Sequence, residues 1–354
     1  MRKNHLIDLN DLSKEQWEQI VELAIRISKN PERYSEYCKH KIMATLFFEP
    51  STRTQNSFQT AMLRLGGSII GFDNPQTTSV SKGETLADTI RIMSGYADVI
   101  AMRHPVEGAA LAAAQYSSCP VINAGDGGHL HPTQTLTDMV TLANELGDLN
   151  DITLGFCGDL KNGRTVHSLI KALSLYNNIH FVLISTDELT VPQRFKNIIL
   201  EHNCTYEEVY SLEEVIGKLD VLYMTRIQKE RFASEEAYQA QKNVYVLDME
   251  KMNLAKPDLK VLHPLPRVDE ITTEVDDDPR ALYFKQARYG VYARMALILT
   301  LMDIHSKDTI LKGDQATHRC SNPRCITQTE TYLKPSFVSD GKGVYCEYCD
   351  APLN

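Results

Sequence analysis

The sequence lacks the main features of nucleic-acid-binding and membrane proteins. Lysine and arginine number 37 against 46 aspartates and glutamates, which gives 354 residues a formal net charge of −9. Such a chain has no general basic field to attract nucleic acid. No apolar run approaches the roughly 18 residues that a membrane-spanning helix needs. We therefore expect neither nucleic acid nor a membrane as a partner.

Two further features are missing. The first residues, Met1 to His5, lead into charged sequence without the apolar core of a signal peptide, so we expect a cytoplasmic protein. The glycines Gly155, Gly158 and Gly163 follow a predicted strand, but their spacing does not fit G-x-G-x-x-G. This spacing argues against a nicotinamide cofactor.

The sequence does contain alternating strand and helix patterns. A capping box at Ser13–Gln16 predicts the start of a first helix. Apolar runs predict strands, and helical periodicity separates them. The strands are predicted at 41–48, 68–72, 99–102, 121–124, 152–158, 181–184, 221–224, 244–247 and 261–262, and later helices at 86–96, 134–146, 166–175 and 289–302.

This alternation predicts an α/β protein with two doubly wound parallel-sheet domains. The cysteines near the C-terminus add a small four-cysteine zinc domain. We expect the first domain at 1–135, completed by a helix at 289–306. The second domain is expected at 136–288 and the zinc domain at 316–354.

The first predicted strand ends in a hydroxyl-rich turn, Ser51-Thr52-Arg53-Thr54, followed by a helical pattern. Unpaired N–H groups and the positive end of the helix dipole meet at such a turn and bind anions. Arg53 adds a planar fork that matches phosphate oxygens. Ser51 or Thr52 could instead simply cap the helix, but four such residues after a buried strand favour an anion site.

Other predicted strands also end in cationic or histidine-bearing loops. These loops carry Arg103, His131 with Gln134, Arg164 and Arg226. Because ligands bind at the carboxyl ends of strands in open α/β sheets, we expect a strongly anionic ligand there. A lone histidine in such a position is more often structural, but its convergence with arginines favours a binding role.

The polar segment from Asp73 to Glu84 shows no apolar periodicity and carries Lys82. Loops of about twelve residues without structure are usually functional or disordered. Lys82 is therefore either an active-site residue or a solvated surface lysine.

The last four cysteines have the spacing of a zinc site. Cys320-x4-Cys325 is followed, after twenty residues, by Cys346-x2-Cys349. Four thiolates leave no open coordination position, so we expect one structural zinc per chain that supplies folding energy to a small domain. Two disulfides are the alternative, disfavoured in a cytosolic chain.

Several motifs together resemble the aspartate carbamoyltransferase family. They are Phe-Phe-Glu-Pro-Ser-Thr-Arg-Thr, Met-Arg-His-Pro, His-Pro-Thr-Gln-Thr, Gly-Arg-Thr-Val-His-Ser, Met-Thr-Arg-Ile-Gln-Lys-Glu-Arg and His-Pro-Leu-Pro-Arg. The resemblance covers roughly residues 5–306 in the family's order. It implies carbamoyl transfer from carbamoyl phosphate to L-aspartate, the committed step of pyrimidine synthesis, without a catalytic cofactor.

The resemblance also implies roles for individual residues. The phosphate would be held by Ser51, Thr52, Arg53 and Thr54. The carbamoyl end would be held by Arg103, His131 and Gln134, with Thr54 helping to polarise the carbonyl. Lys82 would reach the site of a neighbouring subunit in a homotrimer. The aspartate would be bound by Arg164, Arg226, Gln228 and the backbone of Pro264 and Leu265.

Alternatives to this reading differ in substrate or in activity. Ornithine carbamoyltransferases, the nearest alternative, have a cysteine in the corresponding motif, His-Cys-Leu-Pro. This chain has Pro264 after His263 instead. A non-catalytic assembly subunit is disfavoured because no catalytic motif position is missing. One departure is Asn162, where some members have an aromatic residue; it bears on domain closure rather than chemistry.

The C-terminal cysteine segment resembles the zinc domain of the aspartate carbamoyltransferase regulatory chain. In that family an effector-binding domain of about a hundred residues precedes it, but the connection here, residues 306–319, is too short to hold one. The resemblance therefore implies no ATP or CTP control at such a domain. Our hypothesis is that the zinc domain organises subunit assembly and could build an oligomer larger than a trimer.

Overall fold

The structure is a computed structural model that describes residues 5–227, 234–241, 244–303, 314–315, 319–339 and 343–353. The chain divides into two compact units. Unit 1 comprises residues 1–136 and 291–354, and unit 2 comprises residues 137–290.

Unit 1 contains a four-stranded parallel sheet in the order β2-β1-β3-β4. Its elements, with the helix that leads out of it, are α1 (Lys14–Lys29), β1 (Ile42–Phe47), α2 (Thr52–Arg64), β2 (Ser68–Phe72), α3 (Leu86–Tyr96), β3 (Val99–His104), α4 (Ala109–Tyr116), β4 (Val121–Asp126) and α5 (Pro132–Leu146).

Unit 2 contains a five-stranded parallel sheet in the order β7-β6-β5-β8-β9. Its elements are β5 (Thr153–Cys157), α6 (Arg164–Leu173), β6 (His180–Ile184), α7 (Gln193–Glu201), β7 (Thr205–Val209), β8 (Val221–Met224), α8 (Glu235–Gln241), α9 (Met249–Leu254), β9 (Lys260–Leu262) and the start of α10 (Tyr283–Asp303).

Each sheet has a point where the direction of winding reverses. In unit 1 the chain moves outward from β1 to β2 and then returns to β3, which pairs with the other side of β1. In unit 2 it moves from β5 to β6 and β7 and then returns to β8 beside β5. Ligands of open α/β sheets bind at the carboxyl ends of such strand pairs. The expected fold class is confirmed.

The C-terminal segment folds as a small module, which we define as residues 319–353 with the short strand β10. It contains β10 (Asp314–Gln315), α11 (Ile326–Thr329), β11 (Ser336–Ser339) and β12 (Val344–Cys346), and the three strands form an antiparallel sheet. Its apolar residues share one buried cluster with α4, whose alanines are covered. The module is therefore part of the core of unit 1.

Local sequence signals explain several boundaries. The capping box predicted for α1 is confirmed, since Ser13 Oγ accepts from Gln16 N at 3.3 Å and Gln16 Oε1 accepts from Ser13 N at 2.9 Å. Pro132 stands at the first position of α5, where its missing N–H costs nothing. Helix α10 begins at Tyr283, six residues earlier than expected.

The predicted strand at 244–247 is wrong. Only Leu247 pairs with another segment there, in a single bridge to Ile271. Val244 is 47% exposed whereas Leu247 is fully buried, so this short apolar run packs without joining a ladder. Within the described residues, no helix combines the length and apolar character needed to cross a membrane.

Candidate active site and metal centre

The turn after β1 forms the N-terminus of α2. Ser51 is the N-cap residue, but its side chain makes no capping hydrogen bond, so the simple capping interpretation does not describe it. The first N–H groups of a helix point out of its N-terminus, and α2 begins at Thr52 with Thr54 in its first turn. The first turn contains no acidic residue. The positive end of the helix dipole is therefore suited to an anion.

Strand register places Arg103 beside this turn. Arg103 on β3 pairs with Phe47 on β1, and the N–H of Phe48 donates to the Arg103 carbonyl at 2.9 Å. Arg103 Nε lies 3.2 Å from Glu49 Oε2. Both atoms are buried, and neither makes a hydrogen bond of good geometry among the described residues. The Arg103 side chain therefore starts beside the turn that leads into α2, and its Nε faces the carboxylate of Glu49.

His131 and Gln134 lie at the same edge of the sheet, where β4 leads into α5. His131 is buried, and its Nδ1 lies 3.4 Å from the hydroxyl of Thr133. Its carbonyl accepts the N–H of Gln134 at 3.0 Å, which makes the first turn of α5. The sheet of unit 1 therefore brings the predicted residues of turn 51–54, Arg103, His131 and Gln134 to one edge.

Lys82 lies in the segment between β2 and α3. It ends a short 3₁₀ helix, Ser79–Lys82, that follows another at Pro75–Thr77, so the expectation of a loop without structure is wrong. Helices of three or four residues are too short to show an apolar period. The Lys82 side chain is exposed and makes no hydrogen bond or ion pair within the described part of the chain.

In unit 2, Arg164 is the first residue of α6 and so sits at the positive end of that helix. The preceding loop is wound around the buried Asp159, whose Oδ1 accepts the N–H of Asn162 at 3.0 Å. The Asn162 amide lies 3.2 Å from both Asp159 oxygens. The residue that departs from the family pattern thus stiffens the loop that leads to Arg164.

Arg226 follows β8, the strand that pairs with β5. The two strand ends approach closely at Gly158, which has φ +117° and where a Cβ would lie 2.6 Å from the carbonyl oxygen of Thr225. The hydroxyl of Thr225 donates to the Cys157 carbonyl at 3.0 Å. This contact fixes the chain one residue before Arg226. Gln228 lies outside the described residues.

Pro264 and Leu265 follow β9, the neighbour of β8. The N–H of Leu265 donates to His263 Nδ1 at 2.8 Å, and His263 Nε2 lies 2.8 Å from Glu270 Oε1. Because Nδ1 accepts, Nε2 carries the proton and donates to Glu270. Burial alone would raise the pKa of Glu270, but the hydrogen bonds from His263 and Val268 hold that pKa below its ordinary value.

A buried polar network behind this turn was not predicted from the sequence. Gln286 accepts the N–H of His263 at 3.0 Å and donates to Asp138 at 2.6 Å. Asp138 also accepts the Tyr223 hydroxyl at 2.9 Å. The one available signal was Asp138, a carboxylate within the helix predicted at 134–146. Buried polar groups of this kind are kept because each is hydrogen-bonded.

The four C-terminal cysteines form a compact cluster. Their sulfur atoms all lie within 4.8 Å of one another, with Cys320–Cys349 at 3.7 Å and Cys325–Cys346 at 3.8 Å. Tetrahedral Zn–S bonds of about 2.3 Å place sulfurs about 3.8 Å apart, whereas a disulfide needs about 2 Å. The cluster therefore fits a tetrahedral metal ion and excludes the disulfide alternative.

Neighbouring donors also suit a thiolate cluster. Cys325 Sγ accepts the Thr327 hydroxyl at 3.3 Å, and Asn322 donates its N–H to Cys320 Sγ and its side-chain amide to Cys349 Sγ, both at 3.4 Å. Such second-shell bonds orient metal ligands.

Comparison with known families agrees with these features. Residues 4–144 match the carbamoyl phosphate-binding domain of aspartate/ornithine carbamoyltransferase, and residues 150–301 match the aspartate/ornithine-binding domain of the same family. Residues 316–354 match the metal-binding domain of the aspartate carbamoyltransferase regulatory chain.

Individual relatives and solved structures agree as well. The aspartate carbamoyltransferase catalytic subunit of Clostridium novyi is 58% identical over 304 residues, which is 86% of this chain and 99% of that protein. The Clostridium perfringens subunit is 57% identical over 303 residues, 85% of this chain and 99% of that protein.

Among solved structures, the catalytic subunit of M. jannaschii aspartate transcarbamoylase is 46% identical with a TM-score of 0.80, over 85% of this chain and 98% of that one. The Trypanosoma cruzi enzyme in complex with carbamoyl phosphate is 40% identical with a TM-score of 0.79, over 84% and 96%. The resemblance seen in the motifs is confirmed: the chain belongs to the aspartate/ornithine carbamoyltransferase family.

Proposed function

We propose that this chain transfers the carbamoyl group of carbamoyl phosphate to the α-amine of L-aspartate, giving N-carbamoyl-L-aspartate and phosphate. The observation that carries the proposal is the placement of cations at the strand ends where winding reverses. Turn 51–54 follows β1 and Arg103 lies at the end of β3, whereas Arg164 and Arg226 follow the other pair. One set suits a phosphate and the other a dicarboxylate.

In unit 1, the N–H groups and hydroxyls of residues 51–54 bind the phosphate, with Arg53 as its bidentate partner. Thr54, Arg103 and His131 donate to the carbonyl oxygen, and Gln134 holds the carbamoyl amide. Lys82 from a neighbouring subunit of a homotrimer adds a further cation to the phosphate. The homotrimer and the trans position of Lys82 are supported by the family resemblance and by the exposed side chain of Lys82.

In unit 2, Arg164, Arg226 and Gln228 bind the two carboxylates of aspartate, and the backbone of Pro264 and Leu265 completes the site. An arginine at the start of α6 adds to the dipole of that helix, which favours a carboxylate. Arginine pairs bind carboxylates in a bidentate geometry, and this suits aspartate better than the cationic side chain of ornithine.

The amine of aspartate attacks the carbonyl carbon, and the C–N bond forms as charge develops on the carbonyl oxygen. Preorganised donors at that oxygen lower the barrier. The C–O bond to phosphate then breaks, and a phosphate oxygen takes the amine proton. No metal or covalent nucleophile is needed, because holding two anionic substrates together is the main task. The product leads into pyrimidine synthesis in the cytoplasm.

Carbamoyl transfer is tested with carbamoyl phosphate and aspartate for the native chain and for Arg53→Ala. The lost phosphate fork should lower kcat/KM by roughly 10²–10³, the scale known for single catalytic donors. Arg26→Ala is the matched control: Arg26 lies on the exposed face of α1, where it pairs with Glu22, and the variant should keep native activity. Near-native turnover by Arg53→Ala, or faster turnover with ornithine, would refute the proposal.

We further propose that the four-cysteine cluster holds one structural zinc and that the module organises subunit assembly, since its family match is to a domain of a separate partner chain. Light scattering of the zinc-loaded chain and of Cys346→Ser tests this. The variant should form a smaller oligomer. If Cys346→Ser loses its metal and its oligomer has the same mass as that of the native chain, the module does not organise assembly.

A further inference from the structure

The N-terminus of α3 is completed by the C-terminal module. An α-helix has four initial N–H groups without intrahelical partners. In α3 these groups belong to Thr85, Leu86, Ala87 and Asp88, because the N–H of Thr89 makes the first intrahelical bond, to the Thr85 carbonyl at 3.0 Å. The N–H of Asp88 is taken by the Thr85 hydroxyl at 3.2 Å. Leu86 and Ala87 donate to Glu330 Oε1 at 3.4 Å and to the Tyr332 hydroxyl at 3.0 Å.

The two module residues lie side by side at the helix start. Burial raises the pKa of Tyr332, and the negative charge of the neighbouring Glu330 raises it further. The N–H groups of Leu86 and Ala87 are thus taken by two neighbouring side chains of the module. The ring of Tyr332 also packs edge-on against Tyr116 of α4, with centroids 5.8 Å apart. Leu86 and Ala87 are buried under this contact.

This helix start is the anchor of the segment that carries Lys82. Within the described part of the chain, residues 75–83 make hydrogen bonds only among themselves and with Asn74 and Glu84. Outside these local bonds, Val80 packs against the core cluster of unit 1. Glu84, two residues beyond Lys82, receives the Thr89 hydroxyl of α3 at 2.7 Å. The position of Lys82 therefore follows from where α3 begins.

We propose that Tyr332 and Glu330 are positioning residues for carbamoyl transfer: by capping α3 they hold the segment that presents Lys82 to the phosphate of carbamoyl phosphate. The inference rests on the proposed function, in which Lys82 binds that phosphate. It gives the fused module a role in substrate binding that is separate from subunit assembly.

The test uses the zinc-loaded full chain with Tyr332→Phe, which removes the acceptor of Ala87 N–H and keeps the ring against Tyr116. Amide hydrogen exchange at Ala87 should become faster. The KM for carbamoyl phosphate should rise by roughly three- to tenfold, the effect of one hydrogen bond. The KM for aspartate should stay unchanged. In a Lys82→Ala background, Tyr332→Phe should not raise the KM for carbamoyl phosphate further, because Tyr332 affects this KM only by positioning Lys82.

Tyr348→Phe is the matched control. Tyr348 joins the module to α4, where its hydroxyl accepts the Gln115 amide at 3.2 Å, and among the described residues it makes no hydrogen bond to α3. It should leave both KM values and the exchange of Ala87 unchanged, and all variants should retain their metal.

Native KM for carbamoyl phosphate in Tyr332→Phe, or additive effects of Tyr332→Phe and Lys82→Ala, would overturn the inference while leaving the proposed function intact. Native kinetics of Lys82→Ala would overturn it for a different reason, by removing Lys82 from the proposed site.

Discussion

His104 illustrates how one residue at a strand end links stability to pH. It ends β3 directly after Arg103, its ring lies 4.8 Å from the ring of Phe48, and its Nδ1 accepts the N–H of Val106 at 3.0 Å. Burial lowers the pKa of His104 to about 4, although the nearby Asp126 partly opposes this effect. The residue is therefore neutral in the folded protein at pH 7 and holds the turn after β3.

A histidine whose pKa is lower in the folded than in the unfolded state destabilises the protein as the pH falls, because the unfolded chain binds the proton more readily. Between pH 7.5 and 5, His104 should cost on the order of 1–2 kcal/mol of unfolding free energy, with allowance for its partial exposure. His104→Asn keeps an acceptor for Val106 and should lose less stability over this range in denaturant titrations.

The control for this titration is His40→Asn. His40 is exposed and has φ +65°, a conformation that asparagine tolerates. It should follow the pH dependence of the native chain. Equal pH dependence of His104→Asn and the native chain would contradict the prediction.

At the scale of elements, the turn after β9 depends on Glu270, which lies seven residues after His263. Glu270 Oε1 accepts from His263 Nε2, and its other oxygen accepts the N–H groups of Val268 and Asp269 at 3.0 and 3.1 Å. Glutamine has one acceptor oxygen, so in Glu270→Gln the amide NH₂ would face either His263 Nε2–H or the two backbone N–H groups. The turn would lose hydrogen bonds in either orientation, and the N–H of Leu265 would be held less firmly.

Because we place Leu265 in the aspartate site, Glu270→Gln should raise the KM for aspartate by roughly tenfold, as expected for losing a buried hydrogen bond to a charged group. The KM for carbamoyl phosphate should change little. Glu274→Gln, an exposed carboxylate on the short helix Thr273–Asp277, is the control. Equal increases in both KM values would indicate general disruption instead of loss of this turn.

The same elements show what the sequence could and could not predict. Buried parallel strands read as continuous apolar runs, so β1, β3, β5, β6 and β8 could be predicted. β7 pairs only with β6 at the sheet edge and reads Thr-Tyr-Glu-Glu-Val, so it gave no apolar signal and was missed. The run at 244–247 has the apolar residues of a strand, but it makes only the single bridge of Leu247 to Ile271 and forms no β-ladder.

For the site, strand ends could be predicted because loops that follow parallel strands meet at one edge. The network of Asp138, Gln286, His263 and Glu270 could not. Asp138 and Gln286 are 148 residues apart, and only the folded chain brings them together. The contact of Tyr332 with α3, across 245 residues, was missed for the same reason.

At the scale of the whole molecule, metal binding should decide whether the module folds. Its cysteines lie in the same buried cluster as Ile326, Leu333 and Phe337, which cover the alanines of α4. A module of about forty residues has too small a core to fold without its metal.

Elemental analysis of the native protein should find about one metal ion per chain. Cys346→Ser should lose this metal, and its Tm should be lower than that of the native protein. Cys204→Ser, a buried cysteine of unit 2, should keep the metal. Full stability of the metal-free variant would contradict a structural role.

The last prediction concerns active sites shared between subunits. If Lys82 acts on the site of a neighbouring chain, a mixture of Lys82→Ala and Arg53→Ala chains can assemble sites in which both residues are intact. Each mixed trimer then contains one intact site of three, and random mixing in equal amounts gives about one quarter of native activity.

In the experiment, the two variants are purified separately, dissociated, mixed and reassembled before the assay, and each is treated alone as a control. Without sharing, no chain carries both residues, and the mixture stays as inactive as its components. Exposure of Lys82 in the single chain favours the first outcome, since a lysine that serves its own site would be expected to contact it.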